Sequence, residues 1–287
     1  MKKLIALVSL ISMLIGFMPA TSIAAKQVSA ISRPTTTQEQ VGYDVSYPQC
    51  GKTLPTSQYF GIVGVNGGLA SNANNCLADQ LVWANQSKVG SNQPKVQLYV
   101  NTANPGQIIS QVTTWPTTAY DLNYNLPANP YGNGCAGQND QACSWLYGWN
   151  RSIYTENIFI SAASSKGINI NAGDYVWWLD VETSNTWQTG GTLALQNNTA
   201  SLEGFGAYYK SKYAVIGLYS TASQWGTITG NIISTASNLN GLPNWRPSGS
   251  SLRNAITNCS ATPLTSGGYI ALTQYVVKGL DNDHSCI

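Results

Sequence analysis

Asp-Tyr-Val-Trp-Trp-Leu-Asp-Val-Glu-Thr, residues 174–183, decides how the rest of the chain is read. Its aromatic and β-branched residues predict a buried strand. Asp180 and Glu182 stand at the end of that strand. Strand side chains alternate faces, so residues two apart share a side, roughly 6.6–7 Å apart along the strand. Two acids on one side of an apolar strand repel each other and resist burial. Only twelve acidic residues occur in the chain, which makes this pairing informative. Paired carboxylates at such a separation are the equipment of glycosidic bond hydrolysis, one as proton donor and the other as base, nucleophile or charge stabiliser. The plainer alternative is that they cap the next helix or accept backbone hydrogen bonds.

Working outward, the pattern alternates between strands and helices. Strands are predicted at 41–46, 59–65, 95–101, 213–219 and 269–276, with a brief one at Asn244-Trp245 and an eighth at 280–283. Helices are predicted at 76–88, 142–165, 193–212 and 223–233, and a polar insertion runs from Trp115 to about Asp140 over one end of the fold. Such alternation implies parallel βα units with right-handed crossovers. The expected fold is therefore α/β, a closed (β/α)₈ TIM-like barrel in a single domain over residues 41–287. No Gly-x-Gly-x-x-Gly follows the first strand, which argues against a dinucleotide fold. Barrel active sites lie at the C-terminal ends of the strands. Asp44, Asn66, Asn101, Asp180, Glu182 and Gln274 all fall near strand ends. Trp177, Trp178, Trp187 and Trp225 are candidates for a sugar platform, although the first two alternate faces and only one of them can face a pocket.

The start of the chain reads as a targeting segment. Lys2 and Lys3 precede an apolar stretch and a small-residue end at Ser22-Ile23-Ala24-Ala25, the pattern of a signal peptide over residues 1–25. An uncleaved anchor would need about 20 apolar residues. A polar, flexible leader is expected over 26–40, and the working protein is expected to be secreted, monomeric and free of the membrane. Two of the fourteen basic residues leave with the signal, so twelve bases face twelve acids. With no basic cluster, nucleic acid is not an expected partner. Charged residues make up 9% of the chain while Asn, Ser, Thr, Gly, Tyr and Trp abound, which leans towards a carbohydrate partner.

Six cysteines in an exported chain read as three disulfides. Their order suggests Cys50–Cys76, Cys135–Cys143 and Cys259–Cys286. The only histidine, His284, reads as a surface residue, and no Cys-x-x-Cys occurs, so neither a metal nor a cofactor is expected. A Ser or Cys triad is excluded for want of a histidine base near a nucleophile.

Four segments resemble glycoside hydrolase family 25, the lysozyme-like muramidases. Gly42-Tyr43-Asp44-Val45-Ser46 resembles that family's opening Gly-Ile-Asp-Val-Ser, and Trp178-Leu179-Asp180-Val181-Glu182 its Asp-x-Glu strand. Thr273-Gln274-Tyr275 resembles its late Trp-Gln-Tyr strand, and Asp281-Asn282-Asp283 stands where its terminal aspartate does. The resemblance implies a (β/α) barrel that cuts the β-1,4 link between N-acetylmuramic acid and N-acetylglucosamine in peptidoglycan. It implies Glu182 as general acid/base, Asp180 as the group that orients the substrate's acetamido arm, and Asp44 with Asp281 or Asp283 as pocket residues. Asn66, Asn101, Gln274, Tyr275 and Trp178 are the expected substrate contacts. The chain departs from the family at Asn66-Gly67-Gly68, where a Lys- and Glu-containing signature belongs, which opens the substrate question. The alternatives are a barrel that binds wall glycan without cutting it, and a glycosidase acting on another polysaccharide.

Overall fold

The computed structural model describes residues 40–88, 90–117, 128–132 and 134–287. The expected signal segment, residues 26–39 of the leader and residues 118–127 of the insertion lie outside the described residues. Eight strands close a barrel in chain order: β1 (Gly42–Val45), β2 (Gly61–Gly64), β3 (Val96–Asn101), β4 (Val176–Asp180), β5 (Val215–Tyr219), β6 (Pro243–Pro247), β7 (Tyr269–Val277) and β8 (Leu280–Ser285). Five α-helices lie among the described residues: α1 (Leu77–Asn85), α2 (Gln141–Ser165), α3 (Thr192–Ser211), α4 (Ala222–Thr229) and α5 (Leu252–Asn258). The expected α/β, TIM-like barrel is thus the fold.

Strands β1 to β7 run parallel; β8 runs antiparallel between β7 and β1 and closes the ring. Lys278 and Gly279 both have positive φ (52° and 74°), as the tight hairpin turn that suits twisted strands requires. A strand returning through a two-residue turn has no choice but to be antiparallel. Between β1 and β2 the described chain carries a 3₁₀ turn, Tyr47–Gln49, in place of a helix. Helix α5 was not expected from the sequence: it is short and polar, and only Ser251, whose side chain accepts from the Asn254 N–H, signals its start.

Alternation divides β4 between two environments. Trp177 points outward and stacks on Tyr209 of α3, with ring centroids 4.3 Å apart. Trp178 points inward and joins Phe60, Ile62, Trp245, Ala271 and Leu272 as the apolar filling of the barrel. Its indole N–H donates to Gln97 Oε1 (2.8 Å), so the buried ring leaves no polar atom unpaired. Two residues on, Asp180 points inward above that filling. Register sets Asn101 beside Asp180 and Asp180 beside Tyr219, which brings three polar residues to one level at the C-terminal end of the barrel.

Outside the barrel, Trp115 of the insertion is buried and stacks on Tyr147 of α2 (5.5 Å). The insertion is therefore packed against the helical layer at its start. All three expected bridges are formed: Cys50–Cys76, Cys135–Cys143 and Cys259–Cys286. No helix among the described residues is long and apolar enough to cross a membrane.

Candidate functional site

A cavity of about 340 Å³ opens at the C-terminal end of the barrel, and every strand or the loop after it contributes to its wall. The β1 end supplies Asp44 and Ser46, then Tyr47, Pro48 and Gln49; the loop after β2 supplies Gly68. Tyr99 and Asn101 come from β3, Asp180, Glu182 and Ser184 from the β4 end, and Tyr219, Trp245, Gln274 and Asp281 from β5, β6, β7 and β8. Four carboxyl groups line this space, and none of the lining residues is Lys, Arg or His.

Hydrogen bonds hold the acids in place. Asn101 Nδ2 donates to Asp180 Oδ2 (2.5 Å), while Asp180 Oδ1 and Asn101 Oδ1 are buried with no hydrogen-bond partner among the described residues. Two acceptors left without a donor on residues of the cavity wall suit a ligand that brings an N–H or O–H. On the other side, Tyr219 Oη donates to Gln274 Oε1 (2.9 Å) and Gln274 Nε2 donates to Asp44 Oδ2 (2.9 Å). Beneath Asp44 sits Asp283, fully buried, whose Oδ1 accepts from Trp245 Nε1 (2.8 Å) and whose carboxyl is close enough to Asp44 for each charge to be felt by the other. Two carboxyls so placed favour a proton on one of them.

Glu182 lies just past the end of β4 and is half-buried. Its carbonyl oxygen accepts from Trp187 Nε1 (2.8 Å), and its Oε1 accepts from Gln224 Nε2 at the long distance of 3.5 Å. Burial pushes the Glu182 carboxyl above the usual range; the Gln224 bond pulls it down and the Asp281 charge pushes it up. Burial, then the neighbouring Glu182 charge, push Asp180 well up, against the Asn101 bond. Asp44 is raised to about 8, mainly by burial and next by Asp281. Burial raises Asp281 as well, and burial with the Asp44 charge raises Asp283. Proton-holding acids beside ionisable ones are what acid–base chemistry near neutral pH requires.

Of the residues expected from the sequence, Asp44, Asn101, Asp180, Glu182, Gln274 and Asp281 meet in this cavity. Asp281 is the aspartate on its wall; Asp283, two residues deeper along β8, touches Asp44 from below. Asn66 does not reach the space: its Oδ1 accepts from the Asn101 N–H (3.0 Å) and its Nδ2 donates to the Asn72 carbonyl, tying the end of β2 to β3. Tyr275 follows Gln274 and so faces away from the barrel axis. Trp178 fills the barrel below the floor. Of the candidate tryptophans, Trp177, Trp178 and Trp225 are buried and offer no face to a ligand, while Trp187 is half-buried and donates its indole N–H to the Glu182 carbonyl.

Several wall residues were not foreseen. Tyr99 sits two before Asn101, Tyr219 ends β5, and Ser46 sits two after Asp44, so the two-residue period of a strand would have found them. Trp245 and the 47–49 turn carried no such signal. Cys259, His284 and Cys286 come together near the C-terminal end, but their two sulfurs are bonded to each other.

No family model and no curated protein matches the chain. Among solved structures it is similar to a bacterial lysozyme from Streptomyces coelicolor, at 16% identity over 87% of this chain and 93% of that one, TM-score 0.46. It is also similar to a muramidase from Trichobolus zukalii (14% identity, 85% and 92%, TM-score 0.41). A third is the modular Cpl-1 endolysin complexed with a peptidoglycan analogue (13%, 86% and 54%, TM-score 0.44). What the cavity can do chemically follows from its own geometry.

Proposed function

We propose that the protein is an exported glycoside hydrolase of the muramidase kind, cutting the β-1,4 link after N-acetylmuramic acid in peptidoglycan. The observation that carries this reading is the Asp180–Glu182 pair, placed at the end of one barrel strand in a cavity to which all eight strands contribute. Glu182 is the acid: half-buried, with burial raising its carboxyl above the usual range, it keeps its proton to higher pH than a free glutamate does and stays within reach of substrate in the cavity. It gives that proton to the glycosidic oxygen as the bond from that oxygen to the sugar's anomeric carbon breaks. One water then adds to the anomeric carbon and returns a proton to Glu182, so the cycle consumes one water per bond cut. Asp180 is the partner that accepts the acetamido N–H of the sugar through its unpartnered Oδ1, holding that arm against the reacting carbon. The Tyr219–Gln274–Asp44 chain fixes the opposite wall. Three disulfides accord with an oxidising compartment.

The test is an incubation of the protein with purified peptidoglycan and with several bacterial polysaccharides, followed for new reducing ends. New ends from peptidoglycan, absent with Glu182→Gln, are expected. Measurable affinity for wall glycan with no products would replace the enzyme by a binding barrel. Products from another polysaccharide alone would move the substrate and keep the chemistry.

A further inference from the structure

Most exposed aromatic side chains of this barrel are remote from the cavity. Tyr213 and Tyr269 stand before and at the start of β5 and β7, at the opposite end, and Tyr154 lies on α2. Tyr47 differs: it lines the cavity and is still 50% exposed. A large ring left half in water at the mouth of an acidic cavity gains nothing for folding that a smaller residue would not supply.

The ring is also held ready. Ser46 N–H donates to Gln49 Oε1 (2.9 Å), Gln80 Nε2 donates to the Ser46 carbonyl (2.7 Å), and Cys50 N–H donates to the Tyr47 carbonyl (3.1 Å). The Cys50–Cys76 bridge then pins this turn to the residue before α1. Beneath the ring lies Gly68, with φ of 84°, where a Cβ would come within 2.7 Å of Tyr47 Cε1. Only glycine allows both that backbone and that contact. Six residues, two of them a disulfide pair, thus hold the turn that carries Tyr47 and leave room under its ring, a ring the core does not need.

We infer that Tyr47 is a carbohydrate-stacking platform, taking the apolar face of an uncharged pyranose ring next to the sugar whose bond is cut. Aromatic rings bind through area and through polarisable faces, and a preordered ring loses little entropy on binding. The class of ligand follows from the wall: with no lining cation to pair with it, an anionic ring would go uncompensated, whereas a neutral one meets hydroxyl and amide partners. The inference rests on the glycosidase reading for the position of the scissile bond, but the stacking contact itself does not depend on turnover.

Calorimetry in a Glu182→Gln background separates the two. The probe is a chitin tetrasaccharide, which carries no charge, run beside a peptide-free tetrasaccharide of alternating N-acetylglucosamine and N-acetylmuramic acid, whose lactyl groups are carboxylates. Tyr47→Ala is expected to weaken binding by about 10-fold, the loss typical of a truncated aromatic anchor. Tyr47→Trp is expected to restore binding, and Gly68→Ala, which keeps the tyrosine but displaces its ring, to weaken it. Unchanged affinity in Tyr47→Ala, with an unaltered melting temperature, would overturn the inference even if the wild type cuts glycan. Tyr47-dependent binding without products from the wild type would sustain the platform and remove the catalytic reading instead.

Discussion

Glu182 and its two supports set the chemistry at the scale of single residues. Glu182→Gln should lower turnover by a factor on the order of 10² to 10⁴ while leaving the melting temperature nearly unchanged, which reducing-end assays beside thermal denaturation will check. Gln224 acts through Glu182. Its donated hydrogen bond favours the ionised carboxylate and pulls the raised carboxyl back down. Gln224→Leu should therefore let Glu182 keep its proton to higher pH, shifting the alkaline limb of the kcat/KM profile upwards; a limb that stays in place would show that the 3.5 Å contact has no grip on the acid. Asp44 carries the opposite kind of consequence, for stability. Its folded value of about 8 lies above the usual 3.8, so the folded state binds the proton more tightly than the unfolded chain does. Stability from this group is complete below about pH 4 and is lost as pH rises towards 8. Asp44→Asn should flatten that fall, and melting temperatures measured across this pH range in both proteins will show it. The acids were legible in the sequence because a two-residue spacing at a strand end has few structural excuses. Tyr47 and Trp245 were not, because a turn tyrosine and a strand tryptophan look the same whether they face water, core or ligand.

At the scale of elements, α2 and α3 cross unusually closely. A Cβ on Gly148 would overlap the Ser201 carbonyl, and one on Gly204 would overlap the Trp145 carbonyl. Backbone meets backbone on both sides, so neither contact can be relieved by rotating a side chain. Gly204→Ala should cost roughly 1–3 kcal/mol, the usual range for overpacking a filled interior, and denaturant titration of the purified variant will measure it. Strand and helix alternation was readable along most of the chain because β7, α2 and α3 are long and β4 is a dense apolar run. The eighth strand's direction was hidden: whether Leu280–Ser285 runs parallel or folds back depends on the Lys278-Gly279 turn, and the Asp-Asn-Asp sequence gives no periodic apolar signal. Asn66 shows a further limit, since strand-end position marks both a ligand contact and a residue that positions one.

Across the whole molecule, the ring of strands makes one cavity out of eight pieces of chain, and none of its lining residues is a cation. With nothing there to pair a uronate, polyuronate chains should neither be cut nor compete with peptidoglycan; competition at equal mass concentration, read by reducing ends, would contradict this. Removal of residues 278–287 takes away β8, its ladders to both β7 and β1, and Asp281. Circular dichroism of that truncated chain should show no cooperative melt. Barrel closure by the last strand has a consequence in time as well as in space. Asp44 belongs to the first strand of the barrel to be synthesised and Asp281 to the last, so a chain still emerging from the ribosome has no finished cavity. Its carboxyls first meet when β8 arrives, which makes the fold its own delay line.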